Sequence, residues 1–405
     1  MRNSITQCFC CNSKEIKKFI SVKNFPYFTT PIDIKNKLNI KNLNKKDYFD
    51  NLNLKSCKKC NHIFLSNLPK LKIINELYSK YYSYPSAMLG NFIPTRDIQF
   101  VSFLKKLLKK KKTKKNSSFF EIGCYDGYVL HNLRSAGFPN ISGCDPSIGA
   151  DIGKKFGIKI EKKFFSSNTK NLKNKKFDFI IARHLVEHLD NPKKFFQTLT
   201  KFTHEKSRVV IEVPNGEYYI KHGLVEVFSH QHIHLFNKYS MSMLINQTDF
   251  SIEQSIHTEA NLYFILSINK TKKIYKKKNL INTFIKNYTN KVRKIEKFIK
   301  KFKNKKIIFY GAGGFCCAAI HLYNINKKII SSIVDSDQKK INKEFLDIDV
   351  SIKSNKNFDE FKDNLLVITS YYTKDIIRFL KKNKVTTNIL AIHPEVMLYK
   401  IIDGK

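Results

Sequence analysis

The sequence has 405 residues, 42% of them hydrophobic, enough for two or three domains with their own cores. No apolar run reaches membrane-helix length and the N-terminus carries no apolar signal region, so a membrane-spanning or secreted chain is not expected. The formal charge of +41 would suit a nucleic-acid binder, but Lys is spread along the whole chain and Arg is rare. Abundant Lys, Asn, Ile, Phe and Tyr with no Trp is the joint bias of an AT-rich coding sequence, and nucleic acid is not the expected partner.

Residues 1–68 open with Cys8-Phe9-Cys10-Cys11 and return with Cys57-Lys58-Lys59-Cys60. Two Cys-x-x-Cys knuckles supply the four soft ligands of a tetrahedral structural Zn2+, with Cys8, Cys11, Cys57 and Cys60 as ligands and Cys10 an ambiguity in the first knuckle. The interval is wider than a finger, so the expectation is a ribbon holding an inserted loop. Nine cysteines, an odd count with four in such pairs, read as reduced thiols of a cytoplasmic protein.

Residues 69–115 have helical spacing in two pieces around a Tyr-rich break, where Pro85 bars helix continuation and Tyr84 is one of several hydroxyls that can face a polar substrate or simply pack.

From 116 to 270 the chain alternates strands and helices, the pattern of a parallel sheet. Strand-like runs are 118–123, 141–145, 177–182, 208–213, 251–256 and 262–269, the last two close enough for an antiparallel pair. The first run passes into Glu121-Ile-Gly123-Cys-Tyr-Asp126-Gly127 and a helix start at Tyr128. Glycines there let the backbone pass close beneath a ligand, and the helix N-terminus offers N–H groups to it. The spacing is neither Gly-x-Gly-x-x-Gly nor a phosphate loop. The second run ends in Asp145, a carboxylate placed to accept from ribose hydroxyls. Together these resemble the S-adenosylmethionine (SAM) site of class I methyltransferases, with Glu121, Gly123, Asp126, Gly127 and Asp145 as the cofactor-binding candidates.

Histidines crowd the ends of later strands. His184 and His188 flank Glu187, and His230, His232 and His234 alternate, so an extended backbone would turn all three to one side. Residues 271–303 carry a Lys-rich amphipathic pattern, expected as one long connecting helix with its Lys face in water. Residues 304–405 repeat the earlier plan: a strand, Gly311-Ala312-Gly313-Gly314, a helix, and a strand ending in Asp335. That glycine turn reads equally as a nucleotide cradle or as a structural turn.

The whole layout resembles the SAM-dependent sugar C-methyltransferases that act on nucleotide-linked keto-deoxysugars. The resemblance implies an α/β fold: a zinc ribbon, a class I methyltransferase core with a Rossmann-like sheet, and a second Rossmann-like lobe at the C-terminus. It implies SAM and structural Zn2+ as cofactors and a nucleotide-sugar as substrate. A loop Tyr matching Tyr84, a His matching His188 and a Glu-His pair matching Gln231-His232 would assist deprotonation beside the ketone and attack on the methyl group. Gln231 departs from the pattern, since an amide cannot take a proton as a carboxylate does. Either His232 or a neighbouring His takes over, the acceptor is a hydroxyl or amine, or activity is lost. Gly311–Cys316 also lacks the Lys-Gly usual in the family. Outside enzymology, a SAM-fold or nucleic-acid-binding scaffold is the competing class. The oligomeric state is open, with a monomer expected.

Overall fold

The computed structural model describes residues 5–33, 45–81, 86–90, 93–166, 172, 175–268, 271–402 and 405. In chain order the strands and helices are β1 (Ile16–Pro26), β2 (Phe49–Cys57), β3 (Ile63–Leu65), α1 (Leu71–Glu76), α2 (Thr95–Lys110), β4 (Phe119–Ile122), α3 (Tyr128–Ser135), β5 (Ile141–Cys144), α4 (Gly149–Lys155) and β6 (Ile160–Glu161). There follow β7 (Phe179–Arg183), α5 (Pro192–Leu199), β8 (Arg208–Pro214), α6 (Gly216–Lys221), β9 (His234–Leu235), α7 (Lys238–Ile245), β10 (Phe250–His257) and β11 (Asn261–Ile268). The remainder is α8 (Ile281–Lys301), β12 (Ile307–Tyr310), α9 (Gly314–Leu322), β13 (Ile330–Asp335), β14 (Ile352–Ser354), β15 (Leu365–Ile368), α10 (Thr373–Lys382), β16 (Thr387–Ala391) and β17 (Met397–Ile401). These pack as two compact units: Met1–Lys17 with Ser56–Gly216 and Ile233–Lys277, and Lys18–Lys55 with Glu217–His232 and Lys278–Lys405.

The first unit is built on a seven-stranded sheet of order β10-β11-β8-β7-β4-β5-β6. Strands β4 to β8 run parallel, and β11 enters antiparallel to β8 and to β10. All four residues of β4 are buried, because the sheet is covered on both faces. Their side chains alternate: Phe119 joins a core with Phe100, Leu104, Leu130 and Ile181, and Phe120 joins another with Ile180, Phe196, Ile211 and Leu244. Each such side chain contributes about 2 kcal/mol of burial. The parallel order reverses at β4, with β5 on one side and β7 on the other, so the ends of β4, β5, β7 and β8 converge on one crevice. This is the class I methyltransferase core.

The second unit carries a six-stranded sheet, β14-β13-β12-β15-β16-β17, parallel except for β17. Ile308, Val334, Leu366 and Ile389 form its centre. The segment inserted between the cysteine knuckles contributes most of β1 and β2, where the sequence indicated only a loop. The connecting helix is shorter than its periodicity predicts. It begins at Ile281, and residues 271–280 are irregular: Lys272 reaches the carbonyls of Thr248 and Phe250, and Lys278 pairs with Glu217. Its Lys face is not wholly solvated either. Lys291 is 4% exposed and donates to the carbonyls of Ile392 and Pro394.

Candidate active site

Gly123 and Gly127 take φ of +72° and +73°, and Tyr125 between them takes +48°, so the chain after β4 coils through the left-handed region before α3 begins. Two carboxylates hold this coil. Asp126 Oδ1 accepts from Tyr128 N at 3.1 Å, a cap on α3, while Oδ2 accepts from Ser86 Oγ at 2.7 Å and Met88 N at 3.0 Å. Asp145, at the end of β5, accepts from Tyr125 N at 2.9 Å through Oδ2 and from Ser147 N at 2.8 Å through Oδ1. Both acids therefore hold the turn; Asp145 Oδ1 also accepts from Ser147 Oγ at 2.5 Å, so Oδ2 is the oxygen with a second lone pair for a ligand hydroxyl.

Glu121 lies on β4 directly beneath the coil, 2% exposed, with Oε2 buried and unpartnered. Burial pushes its carboxyl up to about 8, reinforced by Asp97, Asp126 and Asp145, although Arg183 opposes the rise. Arg183, at the end of β7, donates to Glu212 Oε2 at 2.6 Å and Asp97 Oδ1 at 2.9 Å and lies over the Phe100 ring. Despite its burial, Glu212 is held down to about 2 by Arg183 and His184. This buried network went unread in the sequence because its members stand 86 and 29 residues apart from Arg183.

The histidines take different hydrogen-bond partners. His184 has φ of +44° and sits between two buried carboxylates, 3.2 Å from Glu187 Oε1 and 3.6 Å from Glu212 Oε1, which raise its pKa against the cost of burial. His188, in the single helical turn Val186–His188, meets the Tyr78 hydroxyl at 2.9 Å through Nδ1. Tyr78 opens the Tyr-rich stretch and is the one hydroxyl of that stretch that the described residues place on His188; Tyr84 lies outside them.

The expected alternation of His230, His232 and His234 is not found. Residues 229–231 form a bend, 232 and 233 are irregular, and of the three histidines only His234 lies in a strand. His230 is bound to Phe25 O at 3.1 Å and stacked on Tyr27, a structural histidine. His232 donates from Nδ1 to Val227 O at 2.6 Å, so in its neutral ring Nε2 is the nitrogen that can accept a proton. Gln231 is half-buried in the same bend.

In the first unit the thiols of Cys8, Cys11, Cys57 and Cys60 lie within 4.8 Å of one another. Bonding from the other three thiols drives Cys57 toward the thiolate, while those of Cys8, Cys11 and Cys60 are pushed up. A divalent ion would displace those protons, so the donor set fits structural zinc. Cys10 stays outside the cluster, its N–H directed at Cys8 Sγ at 3.4 Å. In the second unit Gly311 has φ of +108° and Ala312 N donates to Asp335 Oδ2 at 2.7 Å, the same turn-holding bond that Asp145 makes.

Comparison with known proteins gives two family matches: a methyltransferase domain over residues 95–255 and a C-methyltransferase C-terminal domain over residues 251–389. No curated protein matches. Among solved structures, a magnesium protoporphyrin IX methyltransferase from Synechocystis PCC 6803 with bound SAH is similar at 14% identity and TM-score 0.39, over 49% of this chain and 100% of that one. An S-adenosylmethionine-dependent methyltransferase from Clostridium acetobutylicum is similar at 12% and 0.35, over 49% and 98%. A SAM-dependent methyltransferase from Aquifex aeolicus is similar at 16% and 0.34, over 44% and 100%. No helix among the described residues is long and apolar enough to cross a membrane. The chain thus joins a methyltransferase domain to a C-methyltransferase C-terminal domain.

Proposed function

We propose that the enzyme methylates a carbon beside the ketone of a nucleotide-linked keto-deoxysugar. The observation that carries this reading is the tautomer of His232: with its proton committed to Val227 O, Nε2 is a base, and the carboxylate missing at Gln231 is not needed. When bound, SAM supplies an electrophilic methyl group. Glu121, Gly123, Asp126, Gly127 and Asp145 would hold it, the glycines by close approach and Asp145 through the remaining lone pair of Oδ2. His232 Nε2 would take the proton from carbon, while His188, fixed by Tyr78, and the Gln231 amide would steady the enolate oxygen. Cys8, Cys11, Cys57 and Cys60 would hold Zn2+ with no position left open for chemistry, a structural role.

The test is transfer of label from SAM to a panel of nucleotide-linked ketosugars, run beside solvent deuterium uptake into the same sugars without SAM. Carbon methylation predicts both label transfer and uptake, and His232→Ala abolishes both. Transfer without uptake would move the acceptor to a hydroxyl or amine. Absence of transfer, together with absence of SAM binding by calorimetry, would sink the proposal.

A further inference from the structure

Two histidines beside the cysteine cluster take no part in that chemistry. His62 follows the second knuckle and is 0% exposed; His234, in β9, is 2% exposed. His62 Nε2 stands 3.0 Å from His234 Nδ1, and His234 Nε2 stands 2.8 Å from the Leu189 carbonyl, one peptide beyond His188. A carbonyl only accepts, so His234 carries its proton on Nε2 and its Nδ1 must accept. His62 therefore donates from Nε2 and has no proton on Nδ1, consistent with Nδ1 being buried without a partner. Burial holds His234 neutral, its pKa down at about 4, which keeps this assignment single-valued.

Both knuckles clamp the pair. Phe9, inside the first, sets its edge on the His234 ring at 4.7 Å. The His62 ring stacks with Phe64 and Phe236, and Asn237 Nδ2 donates to Asn61 O at 3.0 Å. The His188 turn is thus held from two sides, the His188 ring by Tyr78 and the carbonyl of the following Leu189 by His234.

We propose that His62 and His234 are positioning residues: two directed hydrogen bonds hold the His188 turn in register with the cysteine knuckles. The catalytic consequence rests on the reading that His188 serves the substrate. The experiment uses the full-length, zinc-loaded chain as wild type, His234→Leu and His234→Gln, with equal zinc content and melting temperature required of all three. Gln keeps one acceptor and one donor; Leu keeps neither. Nitrogen-15 spectra of the labelled wild-type histidines should show Nε2 protonated and Nδ1 bare on both His62 and His234. In His234→Leu, amide exchange across residues 186–190 should quicken about tenfold and kcat should fall about tenfold with KM for SAM unchanged, while Gln restores both. A protonated Nδ1 on His62, or exchange and kcat unaltered by Leu, would overturn the relay. If wild type methylates no sugar, the functional reading fails, and the nitrogen signals and exchange rates still decide the relay.

Discussion

Glu121→Gln is the sharpest probe of the proposed cofactor site. The carboxyl is buried, one oxygen has no partner, and its pKa stands at about 8 against an ordinary 4.5. A group raised in the folded state adds stability that is fully present below its unfolded pKa and is lost as pH climbs through the folded one. At 1.36 kcal/mol per unit, the rise corresponds to roughly 5 kcal/mol between pH 4.5 and 8, an upper bound because water and side-chain relaxation soften it. Gln has the same shape and does not ionise, so variant and wild type should be close in stability at pH 5. The gap should widen steadily from about pH 4.5, where the unfolded carboxyl begins to ionise, up to about pH 8, with Gln the more stable by about 2–4 kcal/mol at pH 8.5. Urea unfolding without SAM across that range, taken as the difference between the two proteins, removes the other titrations they share. Parallel stability curves would refute the buried-acid account. A cation docked beside Glu121 would draw the carboxyl back toward its ionised form, so saturating SAM should shrink the gap.

Arg183→Leu strands Glu212 and Asp97 in the core and should cost about 3–5 kcal/mol in urea unfolding; Arg183→Leu combined with Glu212→Leu should recover part of it. Gly127→Val meets both a φ of +73° and contacts of 3.0 and 3.1 Å from Ile160 and Ile158, so it should destabilise the first unit by about 2–3 kcal/mol and abolish SAM binding by calorimetry. In the second unit, burial lowers Lys291 to about 8 from an ordinary 10.5. A depressed lysine is least unfavourable at high pH, so Lys291→Met should gain stability relative to wild type at pH 7 and lose that advantage by pH 10.5, checked by melting curves at both.

The two sheets were legible because their signals are local. Phe119–Ile122, Ile141–Cys144 and Ile307–Tyr310 are short apolar runs ending in a glycine turn or beside an acid, and the paired knuckles bring four thiols together without further help. What the sequence hid was partnership. Nothing local says that Arg183 answers Glu212 and Asp97, or that Tyr78 is bonded to His188. The His230–His234 alternation misled because period two implies one face only on a strand, and residues 230–233 are not in one. The Lys-rich run before α8 misled because its lysines find partners off the helix, Lys272 on the carbonyls of Thr248 and Phe250 and Lys278 on Glu217.

The division of the chain has a bearing on how it is made. The first unit draws its last stretch from Ile233–Lys277, whereas the second needs Lys278–Lys405 to pair with Lys18–Lys55 and Glu217–His232. During synthesis from the N-terminus the first sheet can close while the last third of the chain is still being made. Segment 18–55 can pair β1 with β2 early, but the rest of its unit, Glu217–His232 and Lys278–Lys405, begins only 162 residues after Lys55. Until then that pair lacks the packing of its finished unit, and substitutions there should reduce yield before they reduce the activity of the finished protein.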